Sequence, residues 1–163
     1  MLRTDRCDLY RLQETDYEDV IQLYRNHQVR KYLGGATDNE VLLSNKFYEV
    51  LTKSKKSYYW VVRSVTNIDF IGLISLDKYH DDINIEISYE FLPAWWGNGI
   101  ATEVINAIIG YSFNELDITR LVAETQTANI ASCRVLEKAG MTLENKLYRF
   151  NAEQSLYSLE KNK

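Results

Sequence analysis

The chain has 163 residues, 45% of them hydrophobic and 26% charged, with a single proline; that composition fits one folded domain with a continuous core and excludes a disordered or linker-rich chain. Nineteen basic against twenty-three acidic residues leave a net charge of −4, so nonspecific nucleic-acid binding through a basic surface is not expected. Cys7, Cys133, His27 and His80 are too scattered for a zinc site, so no metal is expected. The first residues, MLRTDRCDLYRL, place charges where a signal peptide needs an apolar core, and no stretch reaches the roughly 20 apolar residues of a membrane span. A soluble cytoplasmic protein with no membrane partner is the expectation.

In chain order, Thr4 to Leu12 reads as a first strand. Two helices follow, each opened by a threonine with a glutamate three residues on: Thr15 with Glu18, continued by Val20, Leu23 and Tyr24, and Thr37 with Glu40, continued by Leu43, Phe47 and Leu51. The period then changes. YYWVVR at 58–63 and FIGLISL at 70–76 are rich in aromatic and branched residues and predict an antiparallel hairpin. In INIEISYEF, Ile83, Ile85, Ile87, Tyr89 and Phe91 fall on one strand face, while Asn84, Glu86, Ser88 and Glu90 fall on a polar one. Ile100, Val104, Ile108 and Tyr111 are spaced as one face of a helix over about 98–114, LVAETQ at 121–126 reads as a strand, and NIASCRVLEKAG gives a last helix stopped at Gly140, its Ile130, Cys133, Leu136 and Ala139 facing one way. The tail predicts two short strands joined around Asn151. The whole is a mixed α/β sheet in a single domain spanning 1–163.

Gly97 and Gly99 stand between the strand ending near Phe91 and the helix beginning near Asn98. Such an arrangement sets unpaired backbone N–H groups at the positive end of a helix, where a phosphate docks without a lysine, and glycine allows close approach and unusual dihedrals. The bland alternative is a connecting turn. Thr102 breaks the dinucleotide pattern GxGxxG, and no GK[ST] follows, so a bound phosphate belongs to another kind of ligand.

Here the residues carry a resemblance. ISYEFLPAWWGNGIATEV resembles the acyl-coenzyme-A-binding motif of the GNAT family of N-acetyltransferases, in the branch of the ribosomal-protein N-terminal acetyltransferases. In the window Trp96, Gly97, Asn98, Gly99, Ile100, Ala101 the fourth and sixth positions match, and Trp96 replaces the arginine or glutamine of the wider family. NIASCRVLEKAGM resembles the branch's second motif, and TDRCDLYRL its first strand, with Cys7 and Tyr10 as departures on the acceptor side.

The resemblance implies a mostly antiparallel central sheet, splayed in the middle and flanked by about four helices, with acetyl-CoA as cosubstrate. Its pyrophosphate would rest on the amides of residues 96–101, and its pantetheine arm would pair with the backbone of Glu90, Phe91 and Leu92. The acetyl group would pass directly from thioester to amine through a tetrahedral intermediate. Glu86 is the implied base for the amine, against the plain reading of a surface glutamate; Asn129 would meet the pantetheine arm or an ordered water, or cap its helix, or both. Ser132 is the candidate to assist the departing thiolate, because Leu136 stands where the wider family places an acidic tyrosine. Cys133 reads as packing rather than a nucleophile. His27 is either a cap or a lining of the acceptor side, and Trp95 and Trp96 either rim the cleft or anchor it.

The expected partners are an amine acceptor, either a protein N-terminus or a small molecule, and at most a second copy of the chain. Two other function classes fit the sequence: a non-catalytic acyl-CoA-binding or regulatory domain, and an interaction domain in which GNG is only a turn.

Overall fold

The computed structural model describes residues 1–162. The strands are β1 (Leu2–Arg3), β2 (Cys7–Arg11), β3 (Tyr58–Ser64), β4 (Phe70–Lys78), β5 (Ile85–Phe91), β6 (Arg120–Gln126), β7 (Thr142–Arg149) and β8 (Ala152–Glu160), and the helices α1 (Tyr17–Arg25), α2 (His27–Arg30), α3 (Glu40–Lys53), α4 (Ile100–Asn114) and α5 (Ile130–Lys138). The strands follow the order β1-β2-β3-β4-β5-β6-β8-β7. Pairing is antiparallel for β1 with β2, β2 with β3, β3 with β4, β6 with β8 and β7 with β8. β5 and β6 are parallel, and their register joins Ile85 to Leu121 and Glu86 to Val122. This is the mixed, mostly antiparallel sheet flanked by helices that the sequence predicts.

The chain forms two compact units, one of residues 1–76 and 89–100, the other of residues 77–88 and 101–163. The first is built on a core of Val20, Ile21, Leu23, Leu43, Phe47 and Val61 with their neighbours, all at or near full burial. α1 supplies four of its buried residues from one face, as its apolar spacing dictates. Arg63 on β3 fixes that helix to the sheet through Asp16 at 3.1 Å and Asp19 at 2.6 Å. In the second unit Ile87, Val104, Ile105, Ile108, Leu121, Val122 and Leu136 are buried.

Local chemistry moves several boundaries. The first strand breaks after Arg3 because the Thr4 hydroxyl accepts the Cys7 N–H at 3.0 Å and the Thr4 N–H donates to the Cys7 carbonyl at 2.8 Å, closing a turn. Asp16, rather than Thr15 with Glu18, stands at the N-cap of α1, and its carboxylate accepts the Gln13 N–H at 2.9 Å in a capping box on the 3-10 turn Glu14–Asp16 that leads into the helix. Asn26 opens α2, and Asn39, not Thr37, caps α3, accepting from Val41 and Leu42 at 3.0 and 3.1 Å. Ile83 is 85% exposed instead of facing the core, since the Asp81 carboxylate accepts the Ile83 and Asn84 N–H groups and holds both in a turn before β5. Ile130 is also exposed, as the first residue of α5. β7 and β8 are longer than the short strands expected, and they meet at Phe150 and Asn151, whose φ angles of 53° and 58° make the two-residue turn that suits a twisted hairpin.

Gly72 on β4 fixes where β5 ends. A Cβ there would lie 2.1 Å from the Glu90 carbonyl oxygen and 2.8 Å from the Phe91 Cα, both backbone atoms that no rotamer change can move. The next backbone link, Leu92 N–H to Ile71 O at 2.8 Å, continues the same close approach. Gly72→Ala is therefore expected to destabilise the fold by about 3 kcal/mol or more in denaturant unfolding. Gly110→Ala, inside α4 where an added Cβ meets nothing within 4 Å, is expected to leave stability unchanged or raise it by up to ~1 kcal/mol.

Candidate functional site

β5 leads into the glycine turn through a 3-10 turn over Pro93–Trp95. The Trp96 indole N–H donates back to the Phe91 carbonyl at 2.8 Å, so this half-exposed tryptophan locks the strand end it follows. Gly97 and Gly99 have φ of 77° and 84°, in the left-handed region that an L side chain resists. Nothing crowds a Cβ at Gly97, and at Gly99 only the Arg6 guanidinium comes within 3.5 Å, so dihedral angle rather than space demands glycine here. Arg6 Nη1 donates to the Asn98 carbonyl at 2.8 Å and steadies the turn. Ile100 then begins α4, fifteen residues long, with Ala101 in its first turn and the Asn98 carboxamide 3.5 Å from the Ile100 N–H. The first-turn amides of such a helix lack carbonyl partners within it and point at whatever lies before Gly99.

The polar face of β5 carries two enclosed carboxylates. Glu86 Oε1 accepts the Glu124 N–H at 3.4 Å. Burial pushes the Glu86 carboxyl up to about 7, opposed by that amide bond and reinforced by the nearby Glu124 charge, with Arg149 pulling down. Glu86 can thus exchange a proton near neutrality, which an ordinary surface glutamate cannot. Glu124 is itself held by the Tyr79 hydroxyl at 2.5 Å and by Arg149 Nε at 3.4 Å.

Glu90 behaves differently. Its Oε1 accepts from Arg30 Nη1 at 3.0 Å, and its Oε2 is buried with no hydrogen-bond partner. Burial raises the Glu90 carboxyl above its usual range, against the Arg30 and Lys46 charges. Arg30 also donates to the carbonyls of Leu33 and Gly35, tying the segment after α2 to β5, and burial lowers the Lys46 ammonium. Tyr79, Glu124, Arg149, Arg30 and Lys46 escape sequence reading because nothing in local spacing joins them to β5. Tyr79 and Glu124, for instance, lie 45 residues apart.

On the second motif, Asn129 caps α5, its side chain accepting the Ser132 N–H at 3.2 Å. Ser132 is half-buried on the first turn, while Cys133 and Leu136 are buried on the inner face. Cys133 also lines a groove of about 270 Å³ with Thr127, Arg134, Lys146 and Tyr157. His27 is exposed at the start of α2, where Asn26 rather than His27 is the cap. Among the described residues no group of three or more His, Cys, Asp or Glu side chains is placed to hold a metal ion, and no helix is long and apolar enough to cross a membrane.

The Glu86 shift has a sign that stability measurements can read. The folded carboxyl titrates near 7 against a reference of 4.5, so between those values the native state holds a proton that the unfolded chain has lost. Its contribution is fully present below the reference value and is lost as pH rises through about 7. Denaturant unfolding at about pH 5 and about pH 8 should show wild type losing on the order of 3 kcal/mol that Glu86→Gln does not lose.

A family model described as Acetyltransferase (GNAT) domain covers residues 6–142. The uncharacterized N-acetyltransferase YoaA of Bacillus subtilis (strain 168) is 30% identical over 156 residues, spanning 92% of this chain and 87% of YoaA. Two crystal structures share the fold: a GNAT-family acetyltransferase from Bacillus anthracis, with a TM-score of 0.83 at 24% identity over 98% of this chain and 97% of that one, and the spermidine N-acetyltransferase of Vibrio cholerae in complex with CoA and spermine, with a TM-score of 0.81 at 18% identity over 96% of both chains. With the family model spanning most of the sequence and YoaA 30% identical over most of both chains, the chain belongs to the GNAT family of acetyltransferases.

Proposed function

We propose that the protein is an acetyl-CoA-dependent N-acetyltransferase of the ribosomal-protein N-terminal acetyltransferase-like branch, a single catalytic domain working in the cytoplasm on a primary amine. The acceptor class is a protein N-terminus or a small amine. The observation that carries the reading is the pairing of two left-handed glycines with the start of α4 directly after β5. That turn presents an uncrowded backbone and the positive end of a fifteen-residue helix, which suits a pyrophosphate.

Acetyl-CoA supplies an acetyl thioester, and the chain's own groups supply position and proton transfer. The amides from Trp96 to Ala101 hold the diphosphate. Of the three residues expected to meet the pantetheine arm, Leu92 directs its N–H to Ile71 on β4. By strand alternation Glu90 faces the same way and the Phe91 N–H the opposite way, which makes Phe91 the residue whose amide pairs with that arm. Glu86 takes the proton that the acceptor nitrogen loses as its new bond to carbon forms. Ser132 hydrogen-bonds the sulfur as the C–S bond breaks, and Asn129 contributes its carboxamide N–H₂ near the arm while its oxygen caps α5. Leu136 cannot serve as an acid.

Titration calorimetry with acetyl-CoA tests the first half. Wild type should bind, while Gly99→Glu, which adds bulk and negative charge where the phosphates pass, should lose at least about tenfold in affinity, or ~1.4 kcal/mol. Gly99→Ala imposes the same backbone strain without the charge, so Gly99→Glu should lose clearly more affinity than Gly99→Ala. Absence of acetyl-CoA binding by correctly folded wild type would overturn the proposal. Thiol release from acetyl-CoA against a panel of peptides with free N-termini, polyamines and aminoglycosides tests the second half. Binding without release for any of them would favour the non-catalytic acyl-CoA-binding domain.

A further inference from the structure

Around Glu86 three segments converge within the second compact unit: the end of β4 with Asp77 and, just after it, Tyr79; β6 with Glu124; and β7 with Arg149. The contacts among them are ordered. Tyr79 donates its hydroxyl to Glu124 Oε2 at 2.5 Å, Arg149 Nε meets Glu124 Oε1 at 3.4 Å, and Arg149 Nη2 donates to the Tyr79 oxygen at 3.3 Å. The Arg149 guanidinium also lies over the Tyr79 ring, 5.6 Å from its centre. Glu124 is thereby held at both oxygens, its side chain 5% exposed, and its own backbone N–H is the group that reaches Glu86. One residue thus offers Glu86 an aiming hydrogen bond from its main chain and a fixed charge from its side chain.

We propose that Glu124, clamped by Tyr79 and Arg149, is a positioning residue for Glu86, orienting one carboxylate oxygen through its amide and setting Glu86's basicity through its charge. The inference rests on the reading of Glu86 as the acceptor base and deepens it. A base for an amine must be ionised when the amine arrives and yet bind the released proton firmly; the neighbouring Glu124 carboxylate strengthens the base, and the Arg149 guanidinium opposes that effect. Tyr79 serves the arrangement as a donor to Glu124 rather than as an acid, because burial and the Glu124 contact hold its hydroxyl proton more tightly than in water.

The two charges act on Glu86 with opposite signs, and that separates positioning from ordinary structural support. In protein labelled with carboxyl-13C glutamate, the Glu86 resonance, identified by its loss in Glu86→Gln, should titrate with a midpoint near 7. Glu124→Gln keeps the amide donor and the shape but removes the charge, so the midpoint should fall by on the order of one pH unit. Arg149→Met should raise it. A midpoint unchanged in Glu124→Gln, or a shift of the same sign in both variants, overturns the proposal; if one variant does not fold, the sign of the other decides alone. Since this readout requires no acetyl-CoA, failure to bind acetyl-CoA with the opposed shifts intact would sink the acetyltransferase reading and leave the Glu124 coupling standing. Missing shifts with normal acetyl-CoA binding would remove only Glu124's role.

Discussion

No Cβ fits between β4 and β5 at Gly72, and the geometry of the chain downstream follows from that. Because the Glu90 carbonyl and Phe91 Cα press directly on the Gly72 position, and Leu92 donates to Ile71, the end of β5 has one available placement. From there the 3-10 turn and the Trp96 indole bond to Phe91 bring the chain to Gly97 in a defined direction. The left-handed angles at Gly97 and Gly99 then turn it into α4. A loop held by backbone contact at Gly72 and by the Trp96 and Arg6 side chains loses little on receiving a ligand because it is already ordered.

β5 also shows how one strand face makes two different carboxylates. Glu86 and Glu90 sit four residues apart, so alternation alone gives them the same side. Glu90 meets a guanidinium and is committed to it, an ion pair that binds the segment after α2 through the remaining Arg30 donors. Glu86 meets an amide and a second carboxylate and keeps its titration near neutrality. Removing Arg30 would leave the Glu90 carboxyl, already raised by burial, with only the Lys46 charge to oppose that shift.

Much of the fold is legible because local patterns are strong. The hairpin of β3 and β4, the amphipathic stripes of α1 and α3 and the stop at Gly140 depend on periodicity and on glycine, both visible in the chain itself. Caps are less legible, since Asn39 rather than nearby Thr37 takes the orphan amides of α3, and Asp16 rather than Thr15 stands at the N-cap of α1; only the path of the backbone selects between such neighbours. Exposure of Ile83 and Ile130 was hidden for a related reason: each lies at the margin of its element, where apolar spacing continues but the packed face has ended.

The sequence by itself determined the glycine turn, its position between a strand and a helix, and the alternation that sets Glu86 on the polar face, because these depend on neighbours in the chain. Tertiary structure decided what those groups can do. Whether a glutamate on a strand face is solvated or enclosed depends on Tyr79, Glu124 and Arg149 arriving from other segments, and whether Glu90 has an ion-pair partner depends on Arg30, sixty residues away. Desolvation and charge act through space, so the proton affinity of Glu86 is a property of the folded assembly of segments, not of the strand that carries it.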